Sequence, residues 1–143
     1  MNTLGKCSEK QIMEFEERHH VQIPDSLKLF LMEANGVILD DGICIQVPYA
    51  SENIYVDAIF GVDLENKWLD MGYWLGQYGE ELPPGTLIIG SDVLEGFILI
   101  LNVREACGVY YWDDKLNLTK STATSNCYYI CGSVEEFLKR IYV

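Results

Sequence analysis

The sequence is poor in basic residues and has no long apolar run. Of its 143 residues, 10 are lysine or arginine and 22 are aspartate or glutamate, which gives a formal net charge of −12. This charge repels the phosphates of nucleic acids and of anionic lipid surfaces. The longest run of aliphatic and aromatic residues, 97–101, is too short to span a bilayer, and no amino-terminal export signal is visible. We therefore expect a cytoplasmic protein that binds neither nucleic acid nor membrane.

The cysteines lack the pattern of a secreted protein. There are five, an odd number, and they form no C-x-x-C pair, which indicates a reducing compartment. Cys127 and Cys131 are four apart, but the Tyr-Tyr-Ile between them favours a strand, along which such positions lie about 13 Å apart. At that distance the two thiolates cannot bind the same zinc ion. We therefore expect buried free thiols, no metal and no cofactor.

Residues for covalent chemistry are equally scarce. The two histidines, His19 and His20, are adjacent on a predicted helix and lie in no signature of nucleophilic catalysis. We expect His19 to border the core and His20 to face water. Residues 90–96 lack the lysine and the spacing of a phosphate-binding loop and are predicted to form a turn between strands. A non-enzymatic protein is therefore predicted, and a cysteine-dependent enzyme is an alternative that requires a thiol of depressed pKa.

Two helices are predicted near the amino terminus and one at the carboxyl terminus. The first runs from Ser8 to about His20, with Ser8 and Gln11 as a capping box. The second begins at Pro24, carries an apolar stripe at i, i+3, i+4, i+7 spacing, and ends at Asn35-Gly36. The last begins after a Ser133 cap that Glu136 completes. Its apolar stripe is Val134, Phe137, Leu138 and Ile141.

A third helix is predicted in the middle of the chain. Asp63 caps it, Pro83-Pro84-Gly85 ends it, and Leu69 and Tyr73 are exposed opposite its apolar stripe. That stripe consists of Leu64, Trp68, Met71, Leu75 and Tyr78.

The remaining apolar segments are predicted as strands. Residues 97–101 are apolar at every position, which is typical of a central strand that is covered on both faces. The predicted fold class is α+β: one domain over residues 1–143, with an antiparallel-rich mixed sheet flanked by N-terminal and C-terminal helices. The strands are 42–47, 54–60, 86–89, 97–103 and 108–112, the last two joined by a hairpin at 104–107.

Acidic residues are concentrated in the middle of the chain. Residues 40–95 contain eleven acidic side chains and one basic one, Lys67, and so carry −10 of the net charge. Segregated charge steers a basic partner and raises its association rate. We therefore predict an interface with a basic protein, formed by a monomer or weak dimer. Its acidic candidates are Asp40, Asp41, Asp57, Asp63, Glu65, Asp70, Glu80, Glu81 and Asp92, and its apolar anchors are Leu69, Tyr73 and Trp74.

Several blocks, in order, resemble the signatures of one known family. Residues 23–31 (Ile-Pro-Asp-Ser-Leu-Lys-Leu-Phe-Leu), followed by Asn35-Gly36, resemble the leucine-proline, phenylalanine-leucine and asparagine-glycine pattern of the SUKH superfamily, also called the Smi/Knr family. The segment 87–90 with Gly96 resembles its central hairpin. Residues 108–113 (Gly-Val-Tyr-Tyr-Trp-Asp) resemble its valine-tyrosine-tryptophan-aspartate strand, and residues 133–138 resemble its closing helix.

The resemblance implies a protein-binding function. Bacterial members are mostly immunity proteins that neutralise toxins, often nucleases, and fungal relatives are regulatory hubs linked to cell-wall synthesis. The resembling blocks are structural, so no catalytic residue is carried over. A nuclease that grips phosphate tends to be basic, which suits the acidic middle of this chain. The expected function is therefore neutralisation of a basic toxin domain, and a regulatory scaffold linked to cell-wall synthesis is the alternative.

Overall fold

The computed structural model describes residues 2–141, which form a curled antiparallel sheet with helices packed on it. None of the helices in that range is long and apolar enough to cross a membrane. In chain order the elements are β1 (Asn2–Thr3), α1 (Glu9–His19), α2 (Asp25–Glu33), β2 (Val37–Val47), β3 (Glu52–Ile59), α3 (Met71–Tyr78), β4 (Leu87–Asp92), β5 (Phe97–Val103), β6 (Ala106–Trp112), β7 (Cys127–Cys131) and α4 (Val134–Ile141).

The seven strands lie side by side in chain order, and each is antiparallel to the next. β7 also contacts β2 and the 3-10 turn Pro48–Ala50, so the sheet curls back toward its other half. β5 is internal, paired with β4 and β6, and Phe97, Ile98 and Leu99 on it are buried. The α+β class, the antiparallel-rich sheet and the central position of residues 97–101 are thus confirmed.

The predicted helix caps are present at both ends of the chain. The Ser8 Oγ accepts the Gln11 N–H at 3.1 Å, and the Gln11 Oε1 accepts the Ser8 N–H at 2.9 Å, which completes the capping box of α1. Ser133 caps α4 by accepting the Glu136 N–H at 3.2 Å. The Glu136 carboxylate pairs with Arg140 at 3.1 Å instead of completing a box.

Several strands extend beyond the ends that the sequence pattern predicted. β2 begins at Val37, because a register shift between Ile38 and Ile43 lets one strand continue through the acidic Asp40-Asp41 pair. β4 extends to Asp92, and β6 begins at Ala106, so the β5–β6 hairpin turns on residues 104–105 alone. Pairing with a neighbouring strand therefore extends these strands beyond their own apolar segments.

The start of the third helix was predicted wrongly. Asp63 has a left-handed backbone (φ 57) and caps no helix; α3 begins only at Met71. Its cap is Asp70, whose two carboxylate oxygens accept the N–H groups of Tyr73 and Leu64, each at 3.0 Å. Residues 67–69 form a separate 3-10 turn. The chain from 63 to 70 is therefore an ordered loop that one carboxylate joins to the helix.

A buried amide fixes this loop to the end of α2. Asn35, which is 5% exposed, donates from Nδ2 to the Val62 carbonyl at 2.9 Å and accepts the Val62 N–H on Oδ1 at 2.8 Å. Next to it, Gly61 donates to the Leu69 carbonyl at 3.0 Å and accepts the Met71 N–H at 2.8 Å. The sequence pattern identified Asn35 as a helix terminator, whereas its side chain positions the loop that precedes α3.

Candidate partner-binding groove

An open groove of about 880 Å³ lies where α3 and its preceding loop meet β2, β3 and the end of β4. Polar and aromatic side chains line it, and residues that are distant in sequence meet there. We call it the acidic–aromatic groove. Of the predicted interface residues, it is lined by Asp40, Asp57, Leu69, Tyr73, Trp74 and Asp92.

Aromatic rings form one wall of the acidic–aromatic groove. Trp74 is at its centre, with ring centroids 5.1 Å from Tyr73, 5.8 Å from Trp68 and 5.0 Å from Phe97. The Trp74 Nε1 donates to the Trp68 carbonyl at 3.0 Å, which holds the loop against the helix. Trp112 extends the cluster behind Phe97 at 5.8 Å, so all three tryptophans of the chain belong to it. Packed rings of this kind form a large apolar surface.

The exposed aromatic side chain beside the groove is Trp68, contrary to the sequence-based prediction. Trp68 was assigned to the buried stripe, with Leu69 and Tyr73 exposed on the opposite face. In the structure Trp68 is 56% exposed, whereas Leu69 and Tyr73 are half-buried and Leu69 packs against the core. The reason is the late start of α3: residues 67–69 lie in a 3-10 turn, so the helical spacing does not apply to them.

Acidic side chains surround the mouth of the acidic–aromatic groove. Asp57 is half-buried and accepts the Ser91 hydroxyl at 2.7 Å. Asp40 and Glu95 are exposed. Lys115 is the cation among the lining residues, and it pairs with Asp114 outside the lining at 3.6 Å. A basic group that approaches the groove therefore meets an excess of negative charge.

Asp92 is buried rather than exposed, which corrects its predicted role as a surface contact. It is 2% exposed, and its Oδ1 accepts the Gly96 N–H at 2.7 Å and the Tyr111 hydroxyl at 3.0 Å. These bonds hold the turn between β4 and β5. Its Oδ2 is enclosed by protein and accepts no well-formed hydrogen bond within residues 2–141. Burial raises the pKa of Asp92 above its usual value, while the interactions with the Gly96 N–H, the Tyr111 hydroxyl and the Leu94 N–H oppose that shift.

The raised pKa of Asp92 predicts how the Asp92→Asn variant responds to pH. A carboxyl group whose pKa is raised on folding stabilises the protein fully below its unfolded pKa of about 4 and loses that contribution as the pH rises through the folded pKa. The asparagine amide does not titrate, so the unfolding free energy of D92N relative to the wild type should increase with pH. Urea denaturation from pH 4 to pH 7 measures this difference in unfolding free energy, and a difference that stays constant with pH would contradict the prediction.

The control variant is D92A, which also cannot titrate but lacks the bonds to Gly96 and Tyr111. It should be about 2 kcal/mol less stable than D92N at every pH.

The other predicted acidic residues lie outside the groove lining. Asp41 and Glu65 are exposed on the neighbouring β2 bulge and loop. Asp63 pairs with Arg18 at 3.3 Å. Both oxygens of Asp70 accept backbone N–H groups, one at the start of α3 and one in the preceding loop. Glu80 and Glu81 are exposed in a 3-10 turn that follows the carboxyl end of α3. The structure thus gathers only part of the predicted acidic set at one place.

Three functional candidates were missed from the sequence. Glu95 lines the groove because the turn from Asp92 to Gly96 places it there, and Lys115 comes from the loop after β6. Trp68 was misassigned for the reason given above. The sequence pattern predicted the turn at 92–96, so it could have identified Glu95 as an exposed residue. No local pattern could have identified Lys115, because only the tertiary structure brings it to the groove.

The histidines and cysteines do not assemble at the groove. His19 is half-buried against Phe15, with ring centroids 4.4 Å apart, and His20 is exposed, as predicted. Burial, with the Asp63 charge, raises the pKa of Cys7 to about 11. Cys131 is buried as predicted, but Cys127 is exposed, although its surroundings desolvate the thiol and raise its pKa to about 11. Across the described chain, no group of three or more metal-ligating side chains could hold an ion.

Comparison with known protein families gives a match over most of the chain. The sequence model of the SMI1/KNR4 family (SUKH-1) matches residues 6–140, which include every element that lines the groove. Neither the curated proteins nor the solved structures include a significant match.

Proposed function

The chain belongs to the SMI1/KNR4 family (SUKH-1), and from this premise we propose that it is a non-enzymatic immunity module. It binds a basic, nuclease-type toxin domain in the cytoplasm through the acidic–aromatic groove. The complex covers the surface with which the toxin would grip phosphate. Inhibition then requires occupancy of that surface and no chemistry by the inhibitor.

The observation that carries this proposal is the composition of the groove. Protein interfaces depend on a few anchors, often tryptophan or tyrosine, that are surrounded by polar groups. The groove presents Trp68 as an exposed aromatic side chain beside Asp40, Asp57 and Glu95. The same charges accelerate the encounter with a basic protein, an effect that weakens as salt is added.

A rescue assay tests the proposal. The chain is co-expressed with the carboxyl-terminal domain of a large exported protein that is encoded beside it, and colony survival is scored. We expect survival with the wild-type chain and death with a folded variant whose groove carboxylates are reversed. Death despite soluble, folded wild-type protein would reject that neighbour as the target and would favour the regulatory scaffold.

A further inference from the structure

Lys67, the one basic residue between positions 40 and 95, lies over the aromatic wall of the groove. Its Nζ is 4.8 Å from the centroid of the Trp68 ring and 5.4 Å from that of Tyr73. The negative face of an aromatic ring attracts such a cation. Among the described residues no carboxylate forms an ion pair with Lys67, so its ammonium is held by these two rings. The wall therefore already binds a cation in the free protein.

The carboxylates that line the same groove provide the second observation. Among the described residues neither Asp57 nor Glu95 forms an ion pair, and Lys115, the cation in the groove lining, pairs with Asp114 outside it. Asp57 is half-buried, and an opposite charge stabilises a carboxylate more strongly there than in open water. The charges of Asp57 and Glu95 are therefore available to a cation of the partner.

From these two observations, and on the basis of the proposed function, we propose that the acidic–aromatic groove recognises an arginine side chain of its basic partner. The guanidinium replaces the Lys67 ammonium over Trp68 and Tyr73 and donates to Asp57 and Glu95. Arginine fits both demands because its planar group stacks on aromatic rings and forms bidentate bonds with carboxylates. Lysine offers a point charge without that planar fork. Lys67 is thus a competitor that occupies the site until the partner arrives.

Removal of the competitor should tighten binding. The probe is a capped tetra-arginine peptide, titrated into the full chain and followed by the fluorescence of the tryptophans, all of which belong to the aromatic cluster. We expect Lys67→Met to raise the affinity about fivefold and Trp68→Ala to lower it about fivefold. Trp68→Phe, which keeps an aromatic face, should bind more tightly than W68A. A tetra-lysine peptide should bind the wild type more weakly than tetra-arginine does.

Lys139→Met is the matched control, because Lys139 is an exposed lysine on α4 that pairs with Glu135 at 3.3 Å and does not line the groove. It changes the net charge as K67M does. Two outcomes would refute the arginine site. In the first, K139M tightens peptide binding as much as K67M does. In the second, K67M binds the peptide no more tightly than the wild type, and W68F binds it no more tightly than W68A. Retained colony rescue would then leave the immunity function standing with another contact. Conversely, the expected peptide results without any rescue would uphold the site and reject that neighbour as the partner.

Discussion

Reversing the two exposed carboxylates of the groove, Asp40→Lys with Glu95→Lys, is expected to lower affinity for the basic partner by about 100-fold or more. Like charges brought together at an interface cost several kcal/mol, and about 100-fold corresponds to roughly 2.7 kcal/mol. Neither residue is buried, so the fold should survive the change. Affinity is measured by calorimetry with the toxin domain identified by the rescue assay, at low and at physiological salt.

The matched control is Glu80→Lys with Glu81→Lys. These residues are also exposed and acidic, they alter the net charge by the same amount, and they follow α3 outside the groove. We expect this pair to lower affinity only modestly, through the long-range field, with a loss that disappears as salt is added. A larger loss for E80K/E81K than for D40K/E95K would move the interface to the far end of α3. Asp70 is unsuitable for such a test because its reversal would break two backbone caps.

Gly61→Ala should destabilise the protein by about 3 kcal/mol or more. A Cβ at this position would lie 2.4 Å from the Asn35 carbonyl oxygen and 2.8 Å from the Asn35 Oδ1. Backbone must therefore move, and the paired bonds between Asn35 and Val62 would be broken or stretched while buried. Since the same contact fixes the loop that carries Trp68, binding should weaken together with stability. Urea denaturation followed by tryptophan fluorescence measures the first effect.

Gly76→Ala is the control for a glycine-to-alanine substitution that introduces no steric clash. Gly76 is exposed within α3, and a Cβ there would meet no atom within 4 Å. Alanine is favoured over glycine inside a helix by about 1 kcal/mol, so G76A should be slightly more stable than the wild type. Equal stability of the two variants would mean that the contact between Gly61 and Asn35 is looser than the structure shows.

Much of the fold was predictable because its signals are local. The caps at Ser8 and Ser133, the helix start after Pro24 and the continuous apolar strand at 97–101 each depend on residues within one or two turns of each other. Such patterns require no knowledge of the rest of the chain. The start of the third helix was predicted wrongly because its signal is not local. Asp70 is the cap in place of Asp63, and its position depends on a bond to Leu64 and on tertiary bonds that hold Gly61.

The charge was also determined by sequence alone, but the site was not. Counting residues placed the negative charge between positions 40 and 95, and that placement requires no folding. Which carboxylates come together depends on strand pairing: β2, β3 and β4 lie side by side, so Asp40, Asp57 and Glu95 line one groove although they are up to 55 positions apart.

Burial was likewise decided by the tertiary structure. Asp92, Asp70 and Asp40 are the same residue type, and the sequence does not distinguish them. In the structure Asp92 is buried against Tyr111, whereas Asp70 caps α3. Sequence determines the charge that a side chain can carry, whereas the solvent and the partners it meets depend on segments that only folding brings together. For this chain, composition therefore determined the sign of the charge, and the packing of α3 over the sheet decided which acidic and aromatic side chains line one groove.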